Sequence, residues 1–303
     1  MLQRNKIDAK AQCDRPIVVL GATGTVGGAV LDALSRCGVE IRAVARRVPG
    51  AAGREATTVG WLVADLAVPS SLDRALAGAG ALFLLTPLEE AMPERVAAVA
   101  ARARAAGIDR VVRLSAYGAG TAQTLLGRVH REAEQAVLAA GLEMVALRPN
   151  GFMQNYVTQL GHGIRAHGLI TSPQGSGAVS LVDARDVAAV AAACLTGAPA
   201  PVDDLTGPVA LDEAAVAACI SRVSGRAVRY QPTSMAAAAR ALADIGLPAW
   251  LRAVILDLYA LSADGGAARV TAAVEAVLGR PPARFEDFAR HARAHWMAPA
   301  GSA

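Results

Sequence analysis

The sequence predicts an α/β fold: a doubly wound parallel sheet with a smaller, mostly helical C-terminal lobe. Three observations carry this. Short apolar runs alternate with alanine-rich segments of helical length through the first half of the chain, the rhythm of parallel strands joined by helical crossovers. The runs are nearly continuous in apolar residues, as strands covered on both faces require. After Pro149 the rhythm changes, and helical patterns dominate to the end.

The strand candidates follow in order: "IVVLG" at 17–21, "EIRAVA" at 40–45, "GWLVAD" at 60–65, "ALFLLT" at 81–86, "RVVRLS" at 110–115 and "EMVALRP" at 143–149. Helical segments between them include 94–106 and 123–140. Their crossovers are expected to be right-handed. Further on, "GAVSLV" reads as one more short strand, running into a helix that begins near Asp183. Asp183, Arg185 and Asp186 read as a helix start with an internal ion pair. From about 211 to 296 the chain reads as helical, with a strand candidate at 226–232. His162 and His167 bracket a mobile-looking segment and have no ligand spacing. The domain reading is a loose tail at 1–15, a dinucleotide-binding domain at 16–150, and a remainder at 151–303 that completes the sheet and forms the lobe.

The stretch "GATGTVGG" links the first strand to a helix, the context that a dinucleotide fingerprint needs. Gly21 permits the tight turn. Gly24 lets the backbone approach a pyrophosphate, and Gly27 lets the helix pack closely on the sheet, with Gly28 beside it. Thr23, Thr25 and Val26 complete the loop, whose amide N–H groups at the helix start face the anion. The second strand ends in "AVARR", with Arg46 and Arg47 and no acid. A carboxylate there would hold a free ribose 2′-hydroxyl, whereas a guanidinium fork suits a 2′-phosphate. Arg46 is therefore read as the ligand of NADP(H), with Arg47 beside it; the bland alternative is an arginine covering a sheet edge. Arg42, inside the strand, reads as structural. Asp65 and Leu66 are placed to flank the adenine, and Asp65 can also cap the next helix. Thr86 and Pro87 end the fourth strand, where the backbone passes along a cofactor.

Composition limits the alternatives. The formal charge of +4 comes from arginines scattered along helical segments, with aromatics at only 4%; this argues for a solvated basic surface and against a nucleic-acid partner. Lys6 and Lys10 are the only lysines, so chemistry that needs a lysine in the folded body is excluded. Cys13, Cys37, Cys194 and Cys219 show no CxxC spacing, which favours reduced thiols in the cytoplasm and no metal site. The polar N-terminus does not read as a secretory signal. The uncharged run "VAAVAAACLTGAPAPV" is too short and too broken to span a bilayer.

Several stretches together resemble the NmrA-like group of atypical short-chain dehydrogenases: "VVLGATGTVGGAVLDAL", "RVVRLSAYGA", "AEQAVLAAGLEMVALRPNGFMQN" and "SLVDARDVAAVAAACLTG". The likeness continues through "LTGPVALDEAAVAACISRVSGRAVRYQP" and "VTAAVEAVLGRPPARFEDFARHA", covering residues 16–296. It implies a Rossmann fold, NADP(H) and a small-molecule substrate, and leaves the substrate and the oligomeric state open. The tyrosine–lysine pair of the wider superfamily is missing, since Tyr117 is followed four residues later by Thr121. Plant reductases of this group place a catalytic lysine on the helix after the fifth strand; counting back from Gly141 gives His130 here. His130 is thus the expected proton donor or ribose partner, with a merely helical histidine as the alternative. Ser115 and Tyr117 are candidate substrate anchors at the end of the fifth strand. Asn150 is placed near the cofactor carboxamide, and Phe152, Met153 and Asn155 along the substrate cavity. The implied activity is hydride transfer from NADPH to a small, largely apolar quinone, azo compound, enone or carbonyl. A non-catalytic NADP(H) sensor and a non-redox isomerase or cyclase remain as alternatives.

Overall fold

In the computed structural model, which describes residues 15–48, 59–108, 110–197 and 202–297, the first six strands form one parallel sheet in the order β3-β2-β1-β4-β5-β6. They are β1 (Ile17–Leu20), β2 (Ile41–Ala45), β3 (Val59–Val63), β4 (Ala81–Leu84), β5 (Arg110–Leu114) and β6 (Glu143–Leu147). Each lies inside or within one residue of its sequence-predicted run. β1 and β4 are buried at every position, which explains their unbroken apolar character. The chain order reverses between β1 and β4, creating the switch point outside whose carboxyl ends such sheets bind ligands.

Helices α1 (Thr25–Ser35), α2 (Asp73–Leu76), α3 (Met92–Ala105) and α4 (Leu125–Ala139) connect these strands. α1 buries Val26, Gly27, Val30, Leu31 and Leu34 as a single stripe. Arg42 is structural, as expected: its guanidinium donates to the carbonyls of Ala75 at 3.0 Å and Ala77 at 2.5 Å.

The later chain contains α5 (Asn155–Thr158), α6 (Gly161–His167), β7 (Leu169–Ser172), α7 (Ala184–Thr196), α8 (Glu213–Ser224) and β8 (Arg229–Pro232). It ends with α9 (Met235–Asp244), α10 (Ala249–Ala263), α11 (Ala273–Leu278) and α12 (Phe285–Ala292). The segment between His162 and His167, read as mobile, is helix α6. It stops at Gly168 (φ +63°), where a β-carbon would sit 2.5 Å from the Ala227 carbonyl oxygen. β7 follows at once and pairs in parallel with β8. The expected strand "GAVSLV" is reduced to isolated bridges at Val179 and Val182.

Two units interleave along the chain. The first runs to Thr121 and takes in Gly127–Arg148 and Val187–Asp203; the second holds Ala122–Leu126, Pro149–Asp186 and the chain from Asp204. The sequential boundary expected at 150 therefore holds only for the sheet. The expected tail lies outside the described residues. The second unit has its own core, in which Tyr156 and Phe285 meet edge-to-face at 5.3 Å and Trp296 donates to the Tyr156 carbonyl at 2.8 Å.

Candidate active site

The first turn is built by close backbone packing. Gly21 adopts φ +69°, and a β-carbon on Gly27 would overlap the Gly21 carbonyl oxygen and lie 2.7 Å from its carbon. Gly24 donates to the Gly21 carbonyl at 3.0 Å and caps α1 without any side-chain acceptor. The amides of Thr25, Val26 and Gly27 consequently have no acceptor among the described residues, as the first turn of an uncapped helix leaves them. At Gly24 the protein itself offers a β-carbon only a 3.4 Å neighbour. Internal packing therefore gives no strong reason for glycine there, whereas an anion seated on the loop does. Thr23 and Thr25 are exposed at the rim, and Val26 turns its side chain into the core.

Along the same carboxyl edge, Arg46 and Arg47 stand exposed just beyond β2. Asp65 is exposed beyond β3; its Oδ1 accepts from the Ala67 amide at 2.9 Å, while Ser71 Oγ bonds the Asp65 backbone on both sides. It closes its own turn rather than capping the following short helix, whose cap is Val68. Leu66 and Thr86 are half-buried and Pro87 is exposed. The ends of neighbouring strands β3, β2, β1 and β4 thus carry the expected residues together, and these fit a phosphorylated dinucleotide.

At the β5–β6 end the structure gathers a buried polar cluster. Ser115 Oγ donates to Glu134 Oε1 at 2.5 Å, and Arg148 grips the same carboxylate through Nε at 3.0 Å and Nη2 at 2.7 Å. Burial opposes ionisation of Glu134, but hydrogen bonds from Arg148 and Ser115 and the charges of Arg148 and Arg113 prevail, lowering its pKa. One turn back on α4, His130 Nδ1 faces Arg113 Nη1 at 3.2 Å. Burial, then the Arg113 charge, pulls the His130 pKa down to about 3.

Two expectations are corrected here. His130 is neutral at ordinary pH, so it has no acidic proton of useful strength to give. Ser115 is buried with its hydroxyl proton directed at Glu134, which removes it as a donor to substrate. Tyr117 lies half-buried in the turn that follows. Arg113, Glu134 and Arg148 were not foreseen. The signal was present: an arginine next to last in a buried strand, and His130 and Glu134 spaced i, i+4 on one helical face.

Residues Pro149–Asp186 belong to the second unit. Asn150 donates to Ser180 Oγ and the Ala267 carbonyl, both at 2.8 Å, and accepts from the Gly151 amide at 2.9 Å. Its side-chain amide is a structural latch, which corrects the amide alternative of the expected carboxamide contact and not the backbone one. Met153 is 1% exposed within the core, not along a cavity. Phe152 and Asn155 remain half-exposed. Asp183 pairs with Arg185 at 2.6 Å as expected, whereas Asp186 pairs with Arg280 at 2.8 Å. Among the described residues no group of His, Cys, Asp and Glu could hold a metal, and no helix is long and apolar enough to cross a membrane.

The chain is similar to known proteins. A family model described as NAD(P)H-binding matches residues 21–198. The NAD(P)H azoreductase of Xenophilus azovorans is 36% identical over 282 residues, covering 92% of this chain and 98% of the relative. A (4-alkanoyl-5-oxo-2,5-dihydrofuran-3-yl)methyl phosphate reductase of Streptomyces griseus is 37% identical over 284 residues, with 92% and 98% covered. The NADPH-dependent quinone oxidoreductase of Escherichia coli, solved with NADPH, superposes with a TM-score of 0.80 at 27% identity, covering 91% of this chain and 98% of that one.

Proposed function

Because the chain belongs to the NAD(P)H-binding family, we propose that it is an NADPH-dependent reductase of small, largely apolar electrophiles: quinones, azo compounds, enones or carbonyls. The observation that carries this is the pairing of an uncapped amide cradle at Thr25–Gly27 with exposed Arg46 and Arg47 where an acid would select NADH. The amides hold the pyrophosphate, and Arg46, with Arg47 beside it, holds the 2′-phosphate. Bound NADPH supplies the hydride. Asp65, Leu66, Thr86 and Pro87 line its path. The weak acid at the end of β5 is the Tyr117 phenol.

The missing tyrosine–lysine pair selects among acceptors. A ketone's alkoxide needs a matched acid, whereas a quinone's oxyanion is delocalised and tolerates a weak one. The azoreductase and quinone oxidoreductase relatives support that order of preference. Free thiols at exposed Cys37 and buried Cys194 and Cys219 support a cytoplasmic setting, and the scattered arginines support a small-molecule rather than a nucleic-acid partner.

Two measurements test the proposal. Calorimetry should show NADPH binding at least about tenfold more tightly than NADH, the worth of one charge-assisted contact. NADPH consumption should rise well above the protein-free rate with quinones or azo dyes, and less with simple ketones. Tight binding with no turnover across the panel would replace the reductase with a sensor.

A further inference from the structure

Arg113 is the least expected side chain in the first unit. It stands next to last in β5, in register with Leu84 of β4 and Ala146 of β6, and is 1% exposed. Among the described residues no carboxylate hydrogen-bonds or ion-pairs with it. Nη1 meets His130 Nδ1 at 3.2 Å, Nη2 meets the Met92 sulfur at 3.6 Å, and Nε has no partner. Burial lowers its pKa to about 10, with Glu134 opposing, so it stays protonated at neutral pH.

A guanidinium can only donate. Against it, His130 Nδ1 must accept, and the single ring proton of the neutral imidazole must sit on Nε2. Nε2 has no hydrogen-bond partner among the described residues, yet it is absent from the enclosed atoms that lack one. It therefore keeps some accessible surface, on a residue that is 9% exposed. The other charged groups of the cluster do not compete: Glu134 is held by Ser115 and Arg148, and α3 contributes only the Met92 thioether.

We infer that Arg113 is a positioning residue that locks His130 as a neutral Nε2–H donor, aimed at an uncharged ligand oxygen, a hydroxyl or carbonyl, at the carboxyl end of β5. A lysine at this position would present a charge; here the charge lies behind the ring, and the face toward ligand is neutral. The identity of the ligand rests on the reductase reading, but the tautomer does not.

Long-range proton–nitrogen NMR on labelled protein reads the tautomer directly, with the His130 signals assigned by their loss in His130→Gln. The wild type should show the Nε2–H form unchanged from about pH 8 to about pH 5, while an ordinary histidine titrates near 6.5. In Arg113→Met the ring pKa should rise from its wild-type position, while burial, the larger cause, still holds it below the ordinary range, and the pH profile of turnover should gain an acid limb where the ring takes up its proton. Arg113→Lys, which keeps a donor-only cation, should retain the Nε2–H form if the methionine variant does not fold. An Nδ1–H or charged wild-type ring at neutral pH overturns the inference, as does a titration unmoved in Arg113→Met. Absence of turnover with the Nε2–H form intact counts against the reductase reading alone.

Discussion

At Gly27 a single methyl group separates a formed phosphate turn from a broken one. The atoms a β-carbon would strike, the Gly21 carbonyl and Ala22 Cα, are all backbone, and Gly21 is itself tied to the Gly24 amide. Neither side can yield by rotating a side chain. Gly27→Ala should cost about 3 kcal/mol, at the upper end for overpacking, and abolish NADPH binding. Gly28 lies one residue on, where a β-carbon meets only the Ala22 carbonyl oxygen at 3.7 Å. Gly28→Ala should therefore gain about 0.5–1 kcal/mol from helix propensity. Urea unfolding and calorimetry of the two variants check the contrast; equal stabilities would refute it. These glycines were legible in the sequence because strand, loop and helix are contiguous there. The Ser115–Glu134–Arg148 and Arg113–His130 contacts were not, since each joins segments 14 to 19 residues apart, and such pairing is decided by packing rather than by local pattern.

Helix α4 carries both His130 and Glu134, so its start matters for the cluster. The chain reaches it through Ala122, the one non-glycine residue with positive φ (53°) among those described. The first amide of the helix, Leu125, donates at 2.6 Å to Asp257 Oδ2 on α10. A charged acceptor at a helix N-terminus satisfies an orphan donor and meets the helix dipole favourably. Asp257→Ala should lower stability by about 1 kcal/mol and speed amide exchange in the first turn of α4, with Asp257→Asn retaining most of the protection. Unchanged exchange at Leu125 in the alanine variant would show the cap to be idle. A cap drawn from 132 residues away leaves no trace in the local sequence, which is why the helix was legible and its anchor was not. β7 escaped for another reason: four residues of mixed polarity after a helix show no period, and only pairing with β8 makes them a strand.

For the whole molecule the informative feature is the return of α7. The sheet ends with β6 as its apolar runs foretell, but a helix's destination is set by what its buried face meets, and no local pattern records that. From Val187 onward α7 belongs to the first unit, burying Val187, Val190, Ala191, Cys194 and Leu195 there. Just past its end, the Gly197 carbonyl accepts from Arg110 Nη1 at 2.7 Å. Arg110 is 6% exposed and its Nε already lacks a partner, so losing Gly197 would strip a buried cation further. The two valines and the leucine alone contribute about 5–9 kcal/mol by burial, comparable with the 5–15 kcal/mol net stability of a typical domain. A fragment of residues 16–150 should consequently fail to fold as a unit. It should keep much of its far-ultraviolet circular dichroism, lose the near-ultraviolet signal, bind a hydrophobic dye and show no measurable affinity for NADPH. A fragment that instead unfolds cooperatively and binds NADPH like the full chain would establish a sequential domain boundary, and would show that α7 covers the first unit without supporting it.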